Sequence, residues 1–205
     1  VDLASFCVSH GITLVVDATF RHYLDPNSVY DQYAAVRNAE LSTIFIEDTG
    51  KTWPTRELKA PFLAATPLVA PGLKRIFADF QLHVPPFSLA LVGQFVRLPH
   101  DAGLGYIHKL VRANRAKLGP ALESFGFTEV GTSFMSVAWV RSSELANFEA
   151  RKNALETRGI RMLDGARFYW SRPAPGHYLR FALHRDASVV DAAAHAITEA
   201  SRDLW

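Results

Sequence analysis

Only one cysteine, Cys7, occurs in the 205 residues, so no disulfide within the chain can hold the fold. That fits a reducing, cytoplasmic compartment. Cys7 itself reads as a small buried helix residue rather than a nucleophile. Long apolar runs are missing too: the longest span a few residues, against the roughly 20 needed to cross a bilayer. No basic–apolar–small leader opens the sequence. Blocks of like charge are also absent. The 22 Lys and Arg and the 20 Asp and Glu are interspersed, which argues against a nucleic-acid surface or a disordered charged tail. The eight histidines show neither H-x-x-E-H nor H-x-H spacing, so nothing points to a metal site. An initiator methionine is lacking, and Val1–His10 already shows helical spacing. We therefore expect an upstream segment, carried by the same polypeptide or by another.

What is present is ordinary globular material, 49% hydrophobic and 20% charged, enough for a core and two small domains. The first helix pattern stops at Gly11. Ile12–Val16 is a β-branched apolar run, expected as a buried parallel strand, and it ends at Asp17. Strands are also expected at Leu41–Ile46 and Phe62–Val69. Helices are expected from Pro71 to about Leu82, Pro85 to about Leu98 and about Gly103 to Phe125. Alternation of helix and strand predicts an α/β layer. Beyond the long helix we expect a strand at Phe134–Val140 and a helix from Ser142 or Ser143 to Arg158. Strands at Phe168–Trp170 and Tyr178–Leu183 and a last helix from Ala187 to Leu204 follow, an α+β pattern. The expected fold class is thus α/β: part of a mainly parallel large-domain sheet with flanking helices, then a small α+β domain. The boundary falls in the long helix, giving domains 1–105 and 106–205.

The stretch Glu47-Asp48-Thr49-Gly50-Lys51-Thr52-Trp53 raises the question of what Lys51 does. A phosphate-binding P-loop needs a glycine five positions before Gly50. Phe45 stands there, inside an expected strand, so that reading fails. Lys51 is then either a solvated turn lysine or an amine that forms an imine with an aldehyde. Asp17 and Lys51 lie at or just past the C-terminal ends of two expected strands, the edge where open α/β sheets bind ligands. An aspartate there can keep a pyridine nitrogen protonated; it can equally cap the following turn.

Asp17-Ala18-Thr19-Phe20-Arg21 resembles the D-x-x-Y-R segment of fold type I, pyridoxal-phosphate-dependent aminotransferases of class I/II. Gly50-Lys51-Thr52-Trp53-Pro54 resembles their S-K-T-F segment, Val84-Pro85-Pro86-Phe87-Ser88 the opening of the next helix, and Tyr178-Leu179-Arg180-Phe181-Ala182 a late L-R-I-S/A strand. Gly159-Ile160-Arg161 and Gly165-Ala166-Arg167-Phe168 fall where the small domain has its own signatures. The pieces run in order over nearly the whole chain, which corresponds to the family's C-terminal portion, without its usual N-terminal half.

The resemblance implies pyridoxal 5'-phosphate as cofactor, with Lys51 carrying it and acting as catalytic base, and Asp17 on its ring nitrogen. It further implies Phe20 at the ring edge, Thr49 and Lys59 or Arg56 toward the phosphate, and Arg180 gripping a substrate carboxylate. Arg180 otherwise reads as an exposed strand arginine, Lys59 and Arg56 as a solvated helix face, and Trp53 and Trp170 as packing aromatics. His22 and Tyr23 follow Asp17 closely enough to line the pocket. The implied activity is transamination of an amino acid with a keto acid, in a homodimer, with no nucleic acid or membrane partner.

Phe20 stands where the family has a tyrosine donating to the cofactor, Asp48 where it has a phosphate-binding serine, and Lys59 where it has an arginine. These departures suit elimination, replacement, oxidation or cyclisation on the same cofactor. A fragment or partner subunit without catalysis is the remaining alternative.

Overall fold

The computed structural model describes residues 2–23, 33–37, 40–51, 60–80, 84–102, 105–131, 134–170 and 176–203. The chain divides into two compact units, Val1–Leu104 and Gly105–Trp205.

In the first unit, α1 (Leu3–Ser9) starts where the Asp2 carboxylate accepts from the Ala4 N–H at 3.2 Å and the Ser5 hydroxyl at 3.1 Å. An acidic cap of this kind satisfies amides that the helix leaves open. Cys7 is buried on its inner face. Gly11 adopts φ 62, the left-handed turn that lets the chain leave the helix. β1 (Leu14–Asp17) follows, then a 3-10 turn (Arg21–Tyr23), α2 (Ala34–Arg37), β2 (Thr43–Asp48) and β3 (Pro61–Ala65). α3 (Ala70–Phe80) and α4 (Pro86–Ala102) complete the unit.

The sheet order is β1-β2-β3. β1 and β2 are parallel, with Leu14 opposite Thr43 and Asp17 opposite Ile46. β3 runs antiparallel to β2, with Asp48 opposite Pro61. These three strands thus make one parallel and one antiparallel pair. The composition of β1 predicts a buried strand; among the described strands it has one neighbour, β2, and Val15 is 54% exposed. β3 ends earlier than the apolar run through Val69 because Thr66 turns the chain. Its N–H donates to the Thr43 carbonyl at 3.0 Å, its hydroxyl accepts from the Thr43 N–H at 3.2 Å, and its carbonyl takes the Ala70 N–H that starts α3.

The second unit contains α5 (Gly105–Ser124), β4 (Phe127–Glu129), β5 (Val137–Ser142), α6 (Phe148–Thr157), β6 (Leu163–Asp164), β7 (Tyr178–Ala182) and α7 (Ala187–Asp203). Its sheet, ordered β4-β5-β7-β6, is antiparallel throughout. Ile107 and Leu122 of α5, Phe127, Leu155, Leu179 and Ile197 of α7 form a dry core. Burial of each such side chain contributes about 1.5–3 kcal/mol. Asn114 is buried on α5, and its amide donates at 2.8 Å to the carbonyls of both Leu183 and Arg185, tying the exit of β7 to the helix.

Two expectations in this unit need correcting. The helix expected from Ser142 or Ser143 begins only at Phe148. The serines are spent on the end of β5: the Ser143 N–H and hydroxyl donate to the Gly126 carbonyl at 3.0 and 2.9 Å. Phe168–Trp170 is not a strand. Asp164 accepts from the Ala166 N–H at 2.9 Å and opens a 3-10 turn over Gly165–Phe168 instead. Trp170 is fully exposed among the described residues. Trp53 lies outside the described residues.

Gly126 has φ +84, and an added Cβ would sit 2.6 Å from the buried Arg151 guanidinium. That guanidinium donates to the Ser142 hydroxyl at 3.4 Å and to Glu144 at 3.3 Å, so it has little room to yield. Gly126→Ala should destabilise the protein by about 2 kcal/mol or more. A chemical-denaturation midpoint equal to wild type would contradict this.

Candidate functional site

The parallel pairing of β1 with β2 brings two strand ends to one sheet edge. The Ala18 N–H donates to the Ile46 carbonyl at 2.8 Å, extending the ladder by one residue. Asp17 ends β1, and Lys51 closes a 3-10 turn (Thr49–Lys51) directly after β2.

One oxygen of the Asp17 carboxylate, Oδ1, accepts from the Thr19 N–H at 3.0 Å and from the Thr19 hydroxyl. These bonds hold the carboxyl below its ordinary value, the hydroxyl contributing most. Burial opposes the shift, and the nearby Lys51 charge adds to it. Asp17 therefore stays ionised through the neutral range, and its Oδ2 accepts from no donor among the described residues. Lys51 is exposed, and its amine has no hydrogen-bond or ion-pair partner among the described residues. The Asp17 carboxylate thus lies within electrostatic reach of the Lys51 amine.

The turn that carries Lys51 is fastened at both ends. Asp48 accepts from the Gly50 N–H at 2.8 Å, an Asx turn that shapes its entrance. Tyr23 donates from its hydroxyl to the Lys51 carbonyl at 2.6 Å, closing its exit. Phe20 is half-buried, its ring tilted against Tyr23 at 6.1 Å. Thr49 opens the turn. Lys59 and Arg56 lie outside the described residues.

Beneath the edge sits a buried polar group that sequence reasoning passed over. Glu47 is 8% exposed, on the same inward face of β2 as Thr43 and Phe45. It pairs with Arg21 and accepts from the Tyr33 hydroxyl. The Arg21 guanidinium also lies over the Tyr33 ring, 5.5 Å from its centre. The signal was available: in period-2 alternation an acid in the inward phase of an apolar strand demands a partner.

Arg180 belongs to the second unit, on β7, with Trp139 and Leu163 as its strand partners. Its guanidinium lies over the Phe168 ring at 5.6 Å and pairs with no acid among the described residues.

Solved structures with the same fold exist. A structure of MppP soaked with the product 2-ketoarginine matches 97% of this chain and 57% of its own, with 31% identity and a TM-score of 0.84. LysN, an α-aminoadipate aminotransferase from Thermus thermophilus, was solved with N-(5'-phosphopyridoxyl)-L-leucine. It matches 98% of this chain and 53% of its own at 16% identity, TM-score 0.79. YbdL from Escherichia coli, described as having a methionine aminotransferase function, matches 96% and 52% at 15% identity, TM-score 0.80. No protein-family model and no curated protein sequence matches the chain. The chain has the fold of the pyridoxal-phosphate-dependent aminotransferases of fold type I. It spans about half the length of the solved chains it matches.

Two predictions test the buried group. Removing one partner of a buried pair leaves the other charge uncompensated, so Glu47→Ala should cost about 2–3 kcal/mol of stability; an unchanged denaturation midpoint would contradict the pairing. The second concerns alkali. Burial, and then the bond to Glu47, push the Tyr33 phenol from 10.0 up to about 12. A group whose folded value is raised stabilises the fold fully below its unfolded value and loses that contribution as pH rises toward the folded one. The wild type should therefore lose stability between pH 10 and about 12, and Tyr33→Phe should lose less over that interval. Equal losses in parallel urea titrations would count against the assignment.

Proposed function

We propose that the chain forms part of a pyridoxal-phosphate-dependent enzyme that acts on an amino acid through Lys51, with aminotransferase-like chemistry. The observation that carries this reading is that Asp17 and Lys51 lie at neighbouring strand ends within electrostatic reach, the amine having no partner among the described residues. These residues fit the cofactor: the open Oδ2 of Asp17 suits a protonated ring nitrogen, and the free amine suits an aldehyde. When bound, the cofactor supplies a ring that accepts electrons from the substrate α-carbon. Asp17 holds the proton on the ring nitrogen. Lys51 would hold the cofactor through its amine, and its Nζ would take the proton from the substrate α-carbon. Arg180, already oriented by stacking over Phe168, pairs with the substrate carboxylate. Thr49, with Lys59 or Arg56, takes the phosphate. Phe20 borders the ring without donating to it. A homodimer with an amino acid and a keto acid as substrates follows from the same reading, as does a division into the second half of a cofactor-binding domain and a small domain.

A second reading has its own support. Phe20 removes the hydroxyl that ordinary transamination uses, and Asp48 is committed to the Gly50 amide. The MppP structure holds 2-ketoarginine as product. Together these favour a specialised reaction, such as an oxidation, on a guanidinium-bearing amino acid. Arginine is therefore the first substrate to assay.

The test is borohydride reduction of the whole natural polypeptide with pyridoxal phosphate, followed by peptide mapping. A single phosphopyridoxyl adduct on Lys51 is expected, with none in Lys51→Ala and a loss of turnover of about a thousandfold or more. No adduct in the whole polypeptide would sink the proposal and leave a non-catalytic subunit. Turnover that requires a keto acid supports transamination; turnover without one supports the specialised reaction.

A further inference from the structure

Tyr23 lies outside the set of residues the family resemblance assigns to the site, yet it bonds directly to the residue on which the site depends. It is 1% exposed and ends the 3-10 turn that starts four residues after Asp17. Its N–H donates to the Phe20 carbonyl at 2.9 Å, and the Arg21 N–H donates to the Ala18 carbonyl at the same distance. The turn is thus rigidly connected to the Asp17 strand end. From there the Tyr23 hydroxyl crosses to the other strand end and donates to the Lys51 carbonyl at 2.6 Å.

A buried phenol needs an acceptor, and an acceptor so close in sequence to a reacting group is constrained by it. Lysine has four rotatable side-chain bonds, so its amine is placed only as well as its backbone is placed. Of the described backbone bonds on this edge, Ala18 to Ile46 fixes the strands, but it lies upstream of the Thr49–Lys51 turn. Asp48 holds only the entrance of that turn. Among the described residues, the Tyr23 hydroxyl is the bond that reaches Lys51 itself.

We infer that Tyr23 is a positioning residue: its hydroxyl fixes the Lys51 backbone relative to Asp17, so that the amine meets the substrate α-carbon in a reactive geometry. This rests on the proposed role of Lys51. Misplacement of a reacting group by a fraction of a bond length is enough to slow a proton transfer while leaving binding intact.

The test compares the whole natural polypeptide with its Tyr23→Phe variant, which keeps the buried ring and removes only the hydroxyl. Borohydride-trapped Lys51, kcat per trapped Lys51, KM and amide exchange of residues 49–51 in the cofactor-free protein are measured together. Trapping at wild-type stoichiometry, with KM within about twofold and kcat per trapped lysine down about tenfold, is expected. Exchange of the Gly50 and Lys51 amides should accelerate about tenfold without cofactor. Wild-type kcat per trapped lysine would overturn the inference, whether trapping is normal or reduced, because a role in packing alone lowers only the number of working sites. Absence of an adduct in the wild type removes the function and the inference together. An adduct in both with identical kinetics removes the inference alone.

Discussion

The parallel pairing of β1 with β2 is the constraint on which the candidate site depends. Its register sets Asp17 beside Ile46, so one strand ends in a carboxylate and the next runs a few residues further into the lysine turn. A slip of one residue would flip Asp17 to the other face of the sheet. The edge is secured from below by Glu47, which ties the loop after β1 to β2 through Arg21 and Tyr33. From above it is secured by Tyr23 on the Lys51 carbonyl. A buried ion pair is an expensive way to stabilise a fold. Here it holds two segments in one arrangement next to the candidate chemistry.

The electrostatics of the edge follow from local bonds more than from burial. Asp17 is kept ionised by donors from Thr19, two residues on, and Lys51 only reinforces this. The anion therefore persists whether or not the lysine is charged. A ring-nitrogen partner needs that property, since the amine must pass through its neutral form to react. Arg180 follows a similar logic in the second unit. Its guanidinium lies over an aromatic face and pairs with no acid among the described residues.

Much of this was legible in the residues. The positions of Asp17 at the end of an apolar strand, of Lys51 just past the next one and of Arg180 on a late strand could be read from order alone. The fold of the solved relatives agrees with the resemblance those motifs carry. What could not be read were contacts made across sequence distance by residues of ordinary local pattern. Tyr23 could be read as lining the pocket from its nearness to Asp17, but not as a donor to the Lys51 carbonyl. Arg21 and Tyr33 look solvated until Glu47 turns inward. Ser142 and Ser143 misled because serine caps helices and ends strands with the same hydroxyl chemistry.

The most direct test of the account is the protonation state of the cofactor's ring nitrogen, read by ¹⁵N NMR with labelled pyridoxal phosphate bound to the whole natural polypeptide. The account predicts a protonated nitrogen at neutral pH in the wild type and an unprotonated one in Asp17→Asn, with Lys51 still carrying the cofactor in both. An unprotonated nitrogen in the wild type, or the same spectrum in both proteins, would contradict the claim that β1 and β2 place Asp17 and Lys51 on one ring.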